Sequence, residues 1–205
     1  MKSLFILAVL AIVMVGATQS SYADPVVFTA NLTGAAESPP NASPGTGFAT
    51  VTYDSVTHML HVQVTFSGLT IGNTASHIHC CTASPGTGVA GVATTTPTFT
   101  GFPGGVTSGT YDHTFDLTLA SSWNAAFITA NGGTAASAEA VFAAGLFNGT
   151  TYFNIHTTNF LGGEIRGFLV EAVPEPATML LLSTGLAGVA LRLRRRRKAI
   201  KSEET

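Results

Sequence analysis

The chain has 205 residues, with nine Lys and Arg against eleven Asp and Glu, a formal charge of −2. Between Asp24 and Val173 the only base is Arg166, set against eight acids, so that span carries −7. A phosphate-tracking surface needs clustered Lys and Arg. Nucleic acid is therefore excluded as a partner, and direct binding to an anionic polysaccharide is disfavoured unless a cation bridges the two.

Met1-Lys2-Ser3 is followed by an apolar run from Leu4 to Val15, and Ser21-Tyr22-Ala23 sets small residues where a signal peptidase reads. This predicts a secretory signal peptide over residues 1–23, cut after Ala23. The other reading is an uncleaved anchor, for which the run is short. Residues 24–173 then form one domain of ordinary size.

Val26 to Leu32 reads as a first strand, and the Pro-rich Ser38 to Gly45 as turn chemistry. Gly47 to Tyr53 and Met59 to Ser67 alternate as strands. In the latter, Leu60, Val62, Val64 and Phe66 face one way and His61, Gln63 and Thr65 the other. Ala75 to Cys81 is a fourth strand. Ser84 to Gly109 is rich in Gly, Thr and Pro, with room for a short strand in Thr87 to Thr96. Thr110 to Leu119 alternates again. Ser121 suits the N-cap of a short helix through Trp123, Phe127 and Ile128, and Ala135 to Leu146 has helical spacing. Thr151 to Thr157 and Gly163 to Val170 are the last strands. Many short strands between frequent turns predict an all-β fold, a Greek-key β-sandwich or barrel, with the helices as a short insertion. The glycosylation-like triplets at Asn31, Asn41 and Asn148 read as turn chemistry.

His77-Ile78-His79-Cys80-Cys81 holds two of the six histidines and both cysteines. Residues two apart on a strand share a face. With Ile78 and Cys80 inward, His77, His79 and Cys81 point outward. The same parity turns Tyr152, Asn154 and His156 outward on one late strand, and Glu164 and Arg166 on the other, with Asn154, His156, Glu164 and Arg166 counted in the polar set. Two imidazoles about 7 Å apart along a strand can share an ion. Adding His156 makes three nitrogen ligands suited to zinc or copper, and Cys81 would tilt the set toward Cu(I). For the adjacent cysteines, a vicinal bridge, ligation and shelter in the core all stay open. Arg166 needs a carboxylate, with Glu164 or Asp116 the candidates. No Ser–His–acid spacing stands out. No catalytic residue is assigned, and a non-enzymatic role is expected.

At the far end, Val173-Pro174-Glu175-Pro176 precedes an apolar run from Ala177 to Leu191, then Arg192, Arg194 to Arg197 and Lys198. The run is short for a membrane span, and the arginine stems can lengthen it. The basic cluster predicts that this end stays in the cytoplasm. Pro-Glu-Pro, a short apolar helix and an Arg-rich tail over residues 174–205 resemble the PEP-CTERM sorting signal of exopolysaccharide-producing Gram-negative bacteria. The resemblance implies transient anchoring in the inner membrane, then processing near Pro174-Glu175-Pro176 by an exosortase-type enzyme. It further implies release to the envelope or the extracellular matrix, with exopolysaccharide or other surface components as partners. A permanent single-span anchor is the alternative.

Ala75-Ser76-His77-Ile78-His79, then Tyr152-Phe153-Asn154-Ile155-His156-Thr157, then Gly162-Gly163-Glu164-Ile165-Arg166-Gly167-Phe168-Leu169 resemble the CHRD domain, from about Phe28 to Leu169. The resemblance implies a secreted, immunoglobulin-like all-β domain with Asn154, Glu164, Arg166 and Gly167 in motif positions and Cys80, ahead of Cys81-Thr82, as a feature of the members that carry the sorting signal, and implies no reaction. The His-X-His strand is also similar to the copper ligands of Cu,Zn superoxide dismutase. Without a His-rich zinc loop or a basic channel, dismutase activity is not expected.

Overall fold

The computed structural model of the chain describes residues 25–172 and 184–186. The predicted signal peptide, Pro174-Glu175-Pro176 and most of the C-terminal apolar run lie outside the described residues. The chain divides into two units, Met1–Glu171 and Ala172–Thr205. In the second, a helical turn at residues 184–186 is described. Among the described residues no helix is long and apolar enough to cross a membrane.

In the first unit the elements are β1 Val26–Thr33, β2 Thr46–Asp54, β3 Met59–Ser67, β4 Asn73–His79 and β5 Gly109–Asp116. Then follow α1 Ala125–Ala130, α2 Ala135–Phe147, β6 Tyr152–Thr157, β7 Ile165–Phe168 and β8 Val170–Glu171. The strands form one antiparallel sheet in the order β4-β6-β7-β1-β2-β3-β5, with β8 on β1. The sheet curls strongly into a half-barrel. The all-β expectation with a short helical insertion holds.

Alternation in the sequence sets the register. Phe28 pairs with Val51 and Val51 with Val62, so one row of the inner face is apolar across three strands. Those three side chains, with Leu60, Phe153, Ile155 and Ile165, are wholly buried. Each contributes about 1.5–3 kcal/mol relative to exposure. Helix α2 packs on this core through Phe142, whose ring meets Trp123 edge-on at 5.4 Å. Glu139 of α2 also accepts hydrogen bonds from Tyr53 Oη and His58 Nδ1, both at 2.9 Å.

Several boundaries differ from the sequence reading. Strand β5 ends at Asp116 rather than Leu119, and the last predicted strand is split into β7 and β8. Strand β4 stops at His79, before the cysteines. The Gly-, Thr- and Pro-rich segment after it forms isolated bridges rather than a strand. Its peptide groups still serve the open edge of β4: Cys80 N–H donates to Gly91 O, Ala93 N–H to Ile78 O and Phe99 N–H to Ser76 O. An irregular segment can thus cover a strand edge without becoming one. Asn124, not Ser121, caps α1 by accepting from Ala126 N–H at 3.0 Å, because Ser121 lies in a separate 3-10 turn.

Strand β7 is inserted between β6 and β1. At Gly167 the two backbones come so close that a Cβ would fall on the Asn31 carbonyl. A side chain there would force the central strand away from β7.

Candidate metal site

Strands β4, β6 and β7 carry the polar residues that parity turned away from the core. In the register, His77 pairs with Asn154 and Asn154 with Arg166, while His79 pairs with Tyr152 and Ala75 with His156. His156 therefore sits diagonal to His77 across two strands, within reach of a long side chain. The face points away from the core but is not open to solvent. His77 is 6% exposed, His79 8%, Arg166 4% and Asn154 1%. Backbone from the 34–45 turn, the segment near Gly88 to Ala90 and the β6–β7 loop closes over it.

The candidate ligand atoms of His77, His79 and His156 all lie within 4.8 Å of one another. His79 Nδ1 is bonded to Ala90 O at 2.8 Å and His156 Nδ1 to Leu161 O at 3.0 Å. Since a carbonyl only accepts, each of those nitrogens carries the proton, and each Nε2 keeps its lone pair. Both Nε2 atoms, and Nδ1 of His77, are buried with no hydrogen-bond partner among the described residues. Leaving such a group unpaired costs about 1–3 kcal/mol. Holding one ring nitrogen on a backbone carbonyl while the other faces the ion is the usual support of a metal-bound imidazole. Three nitrogens about 2.0–2.1 Å from one tetrahedral ion are roughly 3.3–3.5 Å apart, so ring rotations of order 1 Å complete the set.

The electrostatics favour the neutral rings that a metal requires. Burial pushes His77 down to about 3, helped by His156 and His79, against a backbone hydrogen bond at Pro97. Burial also lowers His79 to about 4. The Ala90 hydrogen bond opposes that shift, while His156 and Arg166 add to it. His156 is lowered by burial against its Leu161 hydrogen bond. An imidazole whose folded pKa lies below its unfolded value contributes stability that is fully present above about 6.5 and is lost as pH falls toward the folded pKa. The loss is about 1.4 kcal/mol per pH unit for each ring that stays neutral in the fold. Glu37, raised to about 7 chiefly by burial, works in the opposite sense. Urea unfolding from pH 6 to pH 5 should therefore show His77→Leu losing stability less steeply than the metal-free native domain; parallel slopes would contradict this.

Neighbours hold the rings in place. Tyr152 stacks on His79 with centroids 4.6 Å apart, and the Arg166 guanidinium lies 4.8 Å from the Tyr152 centroid. Arg166 donates to Ala36 O and Gly88 O, and its carboxylate partner is Glu37 at 3.7 Å, not Glu164 or Asp116. Glu164 precedes β7 and turns instead to hydroxyls and a peptide N–H of the β1–β2 turn, the β3–β4 connection and β6. Sequence reasoning missed Glu37, which stands just before a Pro-rich turn with no periodicity to mark it. It also left Tyr152 out of the polar set, although parity placed it on the same face.

Cys81, expected beside the imidazoles, is joined to Cys80 in a disulfide. Both sulfurs lie against Gly145 of α2, and Cys81 Sγ faces Val141 O. The bonded sulfur is not a fourth ligand, and the set brought together is His77, His79 and His156.

The comparisons agree with this geometry in extent. No curated protein and no solved structure matches the chain. The family model described as the CHRD domain matches residues 28–169, which span β1 to β7, and the PEP-CTERM protein-sorting motif matches residues 172–196. The chain belongs to the CHRD domain family, and its sorting motif marks it as an extracellular or cell-envelope protein of a Gram-negative bacterium, processed by an exosortase-type enzyme.

Proposed function

We propose that the domain is a non-enzymatic metal-binding module of the cell exterior that holds one copper or zinc ion on His77, His79 and His156. The carrying observation is the trio of buried imidazole nitrogens without partners. Neutral rings, backbone-held second nitrogens and a three-nitrogen set suit Cu(I), or zinc completed by water. The test is metal analysis of untagged protein after loading with Cu(I) or Zn(II) and exhaustive dialysis, beside a His77→Ala/His79→Ala variant. One ion per native chain and none in the variant is expected. Equal, sub-stoichiometric metal in both would end the reading.

The sorting motif supports a compatible arrangement in the cell. Residues 1–23 are removed by signal peptidase, residues 24–173 form the exported domain, and residues 174–205 anchor it briefly before exosortase processing. The processed domain then remains with the exopolysaccharide matrix. Fractionation with terminal mapping by mass spectrometry tests this. A chain found whole and in the cytoplasm would refute it.

A further inference from the structure

The two cysteines of the chain are bonded to each other. A disulfide stabilises a fold largely by closing a loop in the unfolded chain, and the gain grows with the residues enclosed. A bridge between neighbours encloses none, so loop closure gives this one almost no structural value. Yet the fold makes room for it. A Cβ on Gly145 would come within 2.6 Å of both sulfurs, so α2 carries a glycine where the bridge seats. The two halves differ in access, Cys80 being 5% exposed and Cys81 open to solvent. Surface grooves of about 410 Å³ and 450 Å³ adjoin the bridge, the first lined by both cysteines with Val92, Phe127 and Val141, the second by Cys81 with Ala140, Ala144 and Thr150.

We infer that Cys80–Cys81 is a thiol-exchange site, independent of the metal reading, whose substrate is the thiolate of an external reductant and whose point of attack is Cys81 Sγ. The incoming sulfur bonds to Cys81 Sγ, the Sγ–Sγ bond breaks, and its electron pair leaves on Cys80 Sγ, which takes a proton from water. A second thiolate attacks the external sulfur of the mixed disulfide. It departs as the oxidised reductant, and Cys81 leaves as a thiolate that is protonated in turn. Two thiols are oxidised to one disulfide and one protein disulfide is reduced to two thiols. Which sulfur is attacked follows from access, and here access selects Cys81. The second groove, lined by Cys81 and not by Cys80, gives that sulfur to a small thiol or to a cysteine presented by a protein.

The experiment uses the folded native domain at pH 8 without denaturant. One arm is reduced glutathione, the other a Cys-X-X-Cys protein stripped of its resolving cysteine. Both are quenched with iodoacetamide and mapped by fragment ions. Expected is a mixed disulfide on Cys81 and alkylation on Cys80, with at least about a tenfold preference for Cys81. An adduct in only one arm assigns the source of the thiol. Absence of adduct until denaturant is added, or equal adducts on the two cysteines, overturns the inference. As a second readout, Cys80→Ser should leave a thiol that a thiol-reactive dye labels rapidly. Cys81→Ser should leave one that it labels at least about tenfold more slowly, and equal rates would also overturn it.

Discussion

Glu164→Leu is expected to cost the domain about 3–5 kcal/mol, a large part of the roughly 5–15 kcal/mol by which a domain stays folded. Glu164 is wholly buried and its carboxylate accepts from Ser43 Oγ, Thr70 N–H and Thr157 Oγ1, each at 2.6 Å, and from Thr70 Oγ1 at 3.1 Å. Leucine fills the volume but strands donors from three separate segments, and a buried donor without an acceptor costs about 1–3 kcal/mol. Glu164→Gln keeps an acceptor and should cost less. Denaturant midpoints of the three proteins check the order. The acid dependence gives a second check. Burial pushes the Glu164 carboxyl up, but its hydrogen bonds with Ser43, Thr157 and Thr70 outweigh that and hold it below the ordinary 4.5. Its stability is thus present above 4.5 and lost as pH falls through the folded pKa. Glu164→Leu should lack that part of the acid transition.

The second large effect concerns the three imidazoles. An ion that binds only the folded state stabilises it by RT ln(1 + [L]/Kd), about 4 kcal/mol at a thousandfold excess over Kd. Metal should therefore raise the unfolding temperature of the native domain by several degrees. His156→Ala should show no shift, because two strand-mates on β4 then remain without the third nitrogen from β6. The metal-free proteins should differ in the opposite direction from ordinary core truncations. Removing His77 in favour of Leu also removes a buried nitrogen that has no partner, so the apo variant should lose little or gain. Calorimetry with and without Cu(I) or Zn(II) reads both. A metal-induced shift of equal size in native and His156→Ala protein would refute the three-histidine site.

Periodicity made the strands legible. Met59–Ser67 is legible to its ends, and β1 and β2 to within a residue or two, because alternating apolar residues and a buried face are the same fact seen twice. Parity likewise placed His77, His79 and His156 on one side. It did not show that they meet, since strand order is set by contacts between distant segments. Nor did it show burial, because outward from the sheet became inward beneath three loops whose Gly, Pro and Thr content carries no period. Glu37 is the sharpest example. It stands just before the Pro-rich turn with no periodicity to mark it, yet it is 6% exposed and partners Arg166.

The place of β6 and β7 between β4 and β1 has a consequence for how the molecule is born. A chain that emerges from its N-terminus can zip β1, β2, β3 and β5 together early, but β4 has no strand partner until β6 arrives. Long-range pairings of this kind are slow, and unpaired edges are hazardous meanwhile. His77 and His79 therefore meet His156 only when synthesis is nearly complete, and a chain shortened before Tyr152 lacks the third imidazole. On the proposed metal function, loading would follow only the finished fold. A bound ion would then certify that the last strands before the sorting segment have been set in place.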